Sequence, residues 1–204
     1  MAAPDIVVDR LTPAGRDDYL RFFDHERGAA FADNPEWAKC YCHFYHVPKA
    51  IAWNELPGDA NRKAMTARID VGEMEGFLAR AGREVVGWVN AQPYHKLRHA
   101  CARLAIAEPA RDVPAHEAAA IVCFVVSAAW RRRGVARTLL DCALASFAAR
   151  GIRIVDAFPW RSADSTLATD HYHGSLAMFT AAGFAILHEE KDLTIVRKHL
   201  VAPA

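Results

Sequence analysis

The sequence has almost no net charge: 25 lysines and arginines against 24 aspartates and glutamates leave +1. A chain so balanced has no overall field to gather a polyanion, so a nucleic-acid partner is not expected. It has no apolar stretch of transmembrane length, and its N-terminus shows no charged segment followed by a hydrophobic secretion core. These absences predict a soluble, cytoplasmic protein with no membrane partner. Cysteines number five, an odd count at irregular spacing, which excludes a disulfide framework and predicts reduced thiols. No internal repeat or low-complexity tract is visible. At 52% hydrophobic composition, 204 residues suffice for one substantial core and fall short of two full domains. A single domain over residues 1–204 is expected, as a monomer or homodimer.

Familiar catalytic signatures are missing as well. No Lys-Ser/Thr pair follows a second glycine as in a nucleotide P-loop, and no three spaced glycines form a dinucleotide fingerprint. Gly174-Ser175 lacks the Gly-x-Ser-x-Gly elbow of a hydrolase nucleophile.

What is present is a junction between two apolar patterns. Ile121-Val122-Cys123-Phe124-Val125-Val126 has no polar interruption, the mark of a strand buried on both faces. Beyond it, Ala136, Leu139, Leu140, Ala143, Leu144, Phe147 and Ala148 recur at helical spacing, and Gly151 ends that helix. Between them lies Arg131-Arg132-Arg133-Gly134-Val135-Ala136-Arg137. At a helix start, unpaired N–H groups and the positive end of the dipole favour an anion, and Gly134 admits close approach of a ligand to the chain. The three arginines add positive field, and phosphate oxygens would suit such a loop.

The remaining elements follow from pattern. A strand is predicted over Asp5 to Asp9. A helix follows from Thr12-Pro13 to about His25, with Thr12 as cap and Pro13 in the first turn. Residues 28–57 are irregular and aromatic-rich, an embellishment before a helix from Asn61 to Val71 that ends at Gly72. Phe77 to Arg80 and Val85 to Ala91 read as a β-hairpin around Ala81-Gly82-Arg83, with Pro93 ending its second strand. Tyr94 to Pro114 has no sustained period and predicts a loop bordering the site. Ile152 to Ala157 is a further strand. A short helix over Ser175 to Ala182 then closes at Gly183-Phe184, before strands at Ala185 to His188 and Leu193 to Arg197.

The spacing Arg131-x-x-Gly134-x-Ala136 after a valine-ending strand resembles the acyl-CoA signature of the GCN5-related N-acetyltransferase (GNAT) family. The run from Tyr172 to Phe184 looks like that family's closing motif, a small-residue helix beside the pantetheine arm. The resemblance covers about Glu75 to Leu200. It implies an α/β fold with a mixed, mostly antiparallel central sheet flanked by helices, and acetyl-CoA as co-substrate. It further implies direct transfer of the acetyl group to an amine acceptor, without an acyl-enzyme. Two parallel strands, Ile121 to Val126 and Arg153 to Ala157, would splay, and the backbone of Val125 and Val126 would pair with the pantetheine arm. The loop residues Arg131, Arg132, Arg133, Gly134, Val135, Ala136 and Arg137 would hold the diphosphate, with Ser175 and Phe179 packing beside the cofactor. Backbone N–H groups near the strand ends would polarise the thioester carbonyl.

The proton-transfer groups of the family are less well matched. Many relatives carry Tyr four residues before the closing Gly-Phe; here that position is Phe179, which has no exchangeable proton. Tyr172, standing where relatives often have Asn, is the alternative acid. Where some relatives place a Glu base, this chain has Ala118-Ala119-Ala120, with His116 and Glu117 just before, so Glu117 is one candidate. Asp156, among apolar neighbours at a strand end where its pKa could rise, is the leading candidate base. Its other reading is an ion pair with an arginine. A small-molecule amine is the expected acceptor, ahead of a protein N-terminus or lysine; a CoA-binding regulatory module without turnover is the non-enzyme alternative. Asp170-His171-Tyr172-His173 could contact an acceptor or shuttle protons.

Cys40-Tyr41-Cys42-His43 and His46 put four soft ligands in seven positions. Zinc is weighed and not expected, because structural sites draw ligand pairs from two separated knuckles and Cys-x-Cys in extended chain points its thiols apart. The segment is expected instead to pack Trp37, Phe44 and Tyr45 over the acceptor side of the core.

Overall fold

Strand formation follows the runs of β-branched and aromatic residues. A computed structural model of the chain describes residues 5–24, 31, 33–161 and 171–200. Its strands are β1 (Ile6–Arg10), β2 (Phe77–Ala81), β3 (Glu84–Pro93), β4 (Ala118–Val126), β5 (Ile154–Ala157), β6 (Ala185–Glu189) and β7 (Thr194–His199). They form one seven-stranded sheet in the order β1-β2-β3-β4-β5-β7-β6. Only β4 and β5 run parallel; the other neighbours are antiparallel. The sheet is therefore mixed and mostly antiparallel, with helices on both faces, as expected.

One face packs against α5 (Val135–Ala149). Leu139, Leu140, Ala143 and Phe147 meet Ala79, Val89 and Ile121 there. Gly87 permits the approach: a Cβ on it would lie 2.8 Å from Val135 Cγ1. The other face carries Trp88, Cys123 and Val125 under α1 (Arg16–Phe23), α2 (Pro35–Cys40) and α3 (Gly58–Asp70). Trp88 is wholly buried with its ring edge-on to Tyr19 at 4.9 Å between centroids. Truncating such an aromatic to alanine costs about 3–5 kcal/mol.

Differences from expectation lie at element ends. Thr12 makes no side-chain cap, and a 3-10 turn at Pro13–Gly15 precedes α1, which stops at Phe23. Asp24 accepts hydrogen bonds from Tyr41 Oη and from Arg62 Nε and Nη2. Those bonds tie the chain to α2 and α3; His25 lies outside the described residues. The irregular stretch contains α2 and two 3-10 turns, His43–His46 and Trp53–Glu55. The expected loop after Pro93 holds a short helix, α4 (Ala100–Leu104). Strand β4 begins at Ala118, because fully buried alanines pair with β3 on one side and β5 on the other, and that context overrides their weak strand propensity. The closing helix is α6 (Leu176–Ala181).

Candidate active site

The site begins with an irregularity in β4. Asn90 lies opposite Cys123 but Ala91 lies opposite Ile121, so Val122 is an extra residue, a β-bulge. Pairing of β4 with β5 ends at Ile121↔Ala157, immediately before that bulge. From there the chain after β5 stays with β7: Thr194 N–H donates to Pro159 at 2.8 Å, and Trp160 bridges to Leu193. The two parallel strands therefore part at Val122, the splay that the resemblance implies.

Beyond the bulge, hydrogen-bond parity decides which backbone groups face the gap. Ser127 N–H donates to Val86 of β3. Antiparallel pairing alternates, so Val125 also directs its groups to β3, while Phe124 and Val126 direct theirs to the open side. The Phe124 N–H donates to the carbonyl of Tyr172 at 2.5 Å, and the Val126 carbonyl accepts from Arg131 Nε at 2.9 Å. Of the two valines expected to meet the pantetheine arm, only Val126 turns its backbone to the gap.

After β4, a 3-10 turn at Ala128–Trp130 leads to Arg131 in extended backbone, Arg132 at φ 61° and Gly134 at φ 83°. Gly134 is the N-cap of α5, and no atom lies within 4 Å of where its Cβ would be. Glycine is thus favoured by the left-handed φ rather than by crowding. The first-turn N–H groups of α5, including Val135, Ala136 and Arg137, have no carbonyl one turn back to bond and emerge at this end. Val135 is itself buried in the core, so only its backbone can serve a ligand. Arg132 and Arg133 are exposed, the latter 5.3 Å from the centroid of Trp130. Arg137 pairs with Asp141 at 2.9 Å. Arg131 turns away from the loop mouth: it pairs with Asp33 and lies 5.3 Å over the ring of Trp37.

Trp37 belongs to the wall of a cavity of about 280 Å³ that abuts the splayed part of β4. Cys42, Cys123 and Val125 lie under it, and Phe23, Trp37, Phe44, Tyr45, Trp53 and Tyr172 surround it. Glu36 also lines it and is 72% exposed, which puts that carboxylate at the mouth, 2.7 Å from Lys39 Nζ. A hydrogen bond with Cys42 and burial push the Cys123 thiol up, so it is a neutral surface there. Burial likewise raises the Tyr45 phenol well above its ordinary value.

The candidate acid and base residues scatter. Tyr172 lines the cavity, with its own carbonyl fixed to Phe124. Asp156 is fully buried on the same sheet face but away from the cavity walls. Its oxygens accept from Arg197 Nε at 2.7 Å, Arg197 Nη2 at 2.9 Å and Tyr94 Oη at 2.8 Å. Glu117 precedes β4 at the end opposite the loop, paired with Arg153 at 3.3 Å. The five steps from Glu117 to Val122, where the strands part, span about 17 Å of strand at roughly 3.3 Å each, so the structure does not bring Glu117 to the splay. Ser175 caps α6 by accepting from Met178 N–H at 3.2 Å. Phe179 is wholly buried against Phe124 and Phe184 in the α5-side core. His173 is 1% exposed, with Nε2 3.3 Å from Tyr45 Oη, and burial lowers its pKa to about 3. His171 is half-buried beside it, and Asp170 lies outside the described residues.

The Cys/His segment is not extended: Cys40 ends α2, and Tyr41 and Cys42 both take left-handed φ. Its members face different partners. Cys42 Sγ accepts from Trp88 Nε1 at 3.2 Å, His43 Nδ1 lies 2.9 Å from Asn61 Oδ1, and His46 lies against Gln92. Among the described residues, no group of three or more His, Cys, Asp or Glu could hold a metal ion.

The bulge and the cavity were not predicted from sequence. A bulge leaves no mark in an uninterrupted apolar run. The cavity had one visible signal, the density of aromatics after residue 28, but its closure on Cys123 and Val125 is tertiary.

Known proteins bear directly on this geometry. The model of the acetyltransferase (GNAT) family matches residues 36–184, reaching back to the aromatic segment that lines the cavity. A search of curated proteins finds no significant match. Among solved structures, an acetyltransferase from Thermus thermophilus is similar at 20% identity and TM-score 0.54, over 98% of this chain and 100% of that one. An N-acetyltransferase from Staphylococcus aureus gives 13% identity and TM-score 0.55, over 97% and 99%. A Salmonella typhimurium structure containing its cofactor acetyl-CoA gives 13% and 0.52, over 98% and 96%. With its diagnostic loop, splayed strands and closing helix spanned by the family model, the chain belongs to the GNAT family of acetyltransferases.

Proposed function

We propose that this protein transfers an acetyl group from acetyl-CoA to the amine of a small molecule held in the aromatic cavity. One observation carries the reading: the cavity opens onto Cys123 and Val125, within the stretch where β4 has parted from β5. An acceptor there lies beside the strand edge that the family uses for its thioester. Acetyl-CoA supplies the activated acetyl group and a thiolate leaving group. The residues fit it: the open space over Gly134 and the first-turn N–H groups of α5 suit the diphosphate, and the Val126 N–H on the free edge suits the arm.

Attack requires a neutral amine. Among the described lining residues only Glu36 is a carboxylate, and it stands at the mouth, so the deeper wall disfavours an ammonium by desolvation. The acceptor therefore sheds its ammonium proton at the entrance, to water or Glu36, and no buried base is needed for that first proton. We assign Asp156 to holding Arg197 and Tyr94 rather than to proton abstraction. We assign Tyr172, a cavity-lining residue whose carbonyl accepts from Phe124 N–H on the parted strand, to protonating the departing thiolate, its phenolate then taking the proton that the acylated nitrogen releases. The five free thiols suit a reducing compartment, in accord with a cytoplasmic location.

Release of free CoA thiol, followed with an amine panel, tests the function. Amine-dependent release is expected; acetyl-CoA binding by calorimetry with no release for any amine would favour a binding module.

A further inference from the structure

The cavity also restricts what the acceptor can be. Six rings surround it, and three of them brace one another: Phe44 meets Tyr45 and Trp53 edge-on, each at 5.2 Å between centroids. Trp37 is held from behind by Arg131, whose charge is met by Asp33. Rigid aromatic walls favour a flat apolar guest through edge and stacking contacts. At about 280 Å³ the space lies at the small end of ligand sites, room for one ring and a short chain.

Charge narrows the class further. No lysine, arginine or histidine is among the described lining residues, so the carboxylate of an amino-acid acceptor would be buried without a counter-ion. A polyamine would carry a second ammonium into the same apolar wall. A sugar amine would bury several hydroxyls against rings and thiols, each unpaired one costly. Glu36, the single carboxylate among the described lining residues, stands at the mouth paired with Lys39, so one ammonium can be met there in place of the lysine and none deeper in. The buried Tyr45 phenol, raised well above its ordinary value and backed by the buried His173, keeps its part of the wall uncharged.

From this we infer that the acceptor is a compact primary monoamine with an aromatic or equally apolar body, an arylalkylamine being the best fit. The inference rests on the acetyltransferase reading of the same site. The test compares CoA release with phenethylamine, benzylamine, spermidine, a free amino acid, an aminoglycoside and a short peptide. The arylalkylamines are expected to lead in kcat/KM by at least tenfold. In the same assay Trp53→Ala should raise KM for phenethylamine at least tenfold while leaving acetyl-CoA affinity by calorimetry unchanged. Preferential acetylation of spermidine, the amino acid, the aminoglycoside or the peptide would overturn the acceptor class and leave the acetyltransferase reading standing. No release with any amine, despite acetyl-CoA binding, would overturn both. A Trp53→Ala enzyme with unaltered KM would remove the cavity as the acceptor site.

Discussion

Replacing Asp156 with Asn separates two roles for a carboxylate that looks catalytic in the sequence. In the structure it is fully buried, gripped by both arms of Arg197 and by the Tyr94 hydroxyl, while Arg197 Nη1 also donates to the Ala110 carbonyl at 2.8 Å. Removing one charge of a buried pair costs about 3–5 kcal/mol, because the remaining ion keeps its desolvation penalty. Asparagine retains one acceptor oxygen, so the lower figure, about 3 kcal/mol, applies. For a domain of this length each kcal/mol moves Tm by roughly 2–4 °C, giving a fall of about 6–12 °C. Loss of a general base would instead lower turnover by about 10² to 10⁴ with little change in Tm. Scanning calorimetry and CoA release, run well below both melting points, read the two effects independently. The double replacement Asp156→Leu with Arg197→Met should recover much of the stability, since apolar substitutes of similar volume are often neutral. A wild-type Tm combined with a hundredfold loss of kcat in Asp156→Asn would refute the ion-pair account.

Three further outcomes are expected. Changing Arg132 and Gly134 together to Glu should weaken acetyl-CoA binding at least tenfold by calorimetry, about 1.4 kcal/mol, whereas Gly134→Asn, which tolerates left-handed φ, should bind almost as wild type; equal affinity in the Glu variant would remove the diphosphate assignment. Tyr172→Phe should lower kcat by about 10² with acetyl-CoA affinity kept, and an undiminished kcat would exclude its phenol as the acid. His46 and His173 have pKa values held by burial at about 3 against an ordinary 6.5. Below 6.5 the unfolded chain takes up protons that the folded one refuses, so stability falls as pH drops from about 6.5 towards 3, by up to about 1.4 kcal/mol per pH unit for each histidine. Urea unfolding at pH 7 and pH 5 should show that loss, and His173→Phe should reduce it; equal stability at both pH values would show that neither imidazole stays neutral.

Legibility of the chain tracked how local the cause was. The junction at Val126 and Gly134 could be read because a two-sided apolar strand, a glycine and an amphipathic stripe are neighbours in sequence, and the family model spans them. Ser175 as a helix start was equally local, although its hydroxyl caps α6. Asp156 could not be resolved, since Arg197 lies 41 residues away and Tyr94 62 residues away. Phe179 read as a cofactor neighbour because the motif places it there; its ring points into the core formed with Phe124. Arg131 looked like one of three equivalent loop cations, and only the distant Asp33 and Trp37 distinguish it. The bulge at Val122 depends on register with β3, which no periodicity in β4 records.

Amide hydrogen exchange across residues 132–137, with and without saturating acetyl-CoA, measures the central claim most directly. The account predicts strong added protection there and at Val126, since those N–H groups would face the diphosphate and the arm. Saturated binding that leaves these amides exchanging at their free rates would contradict it.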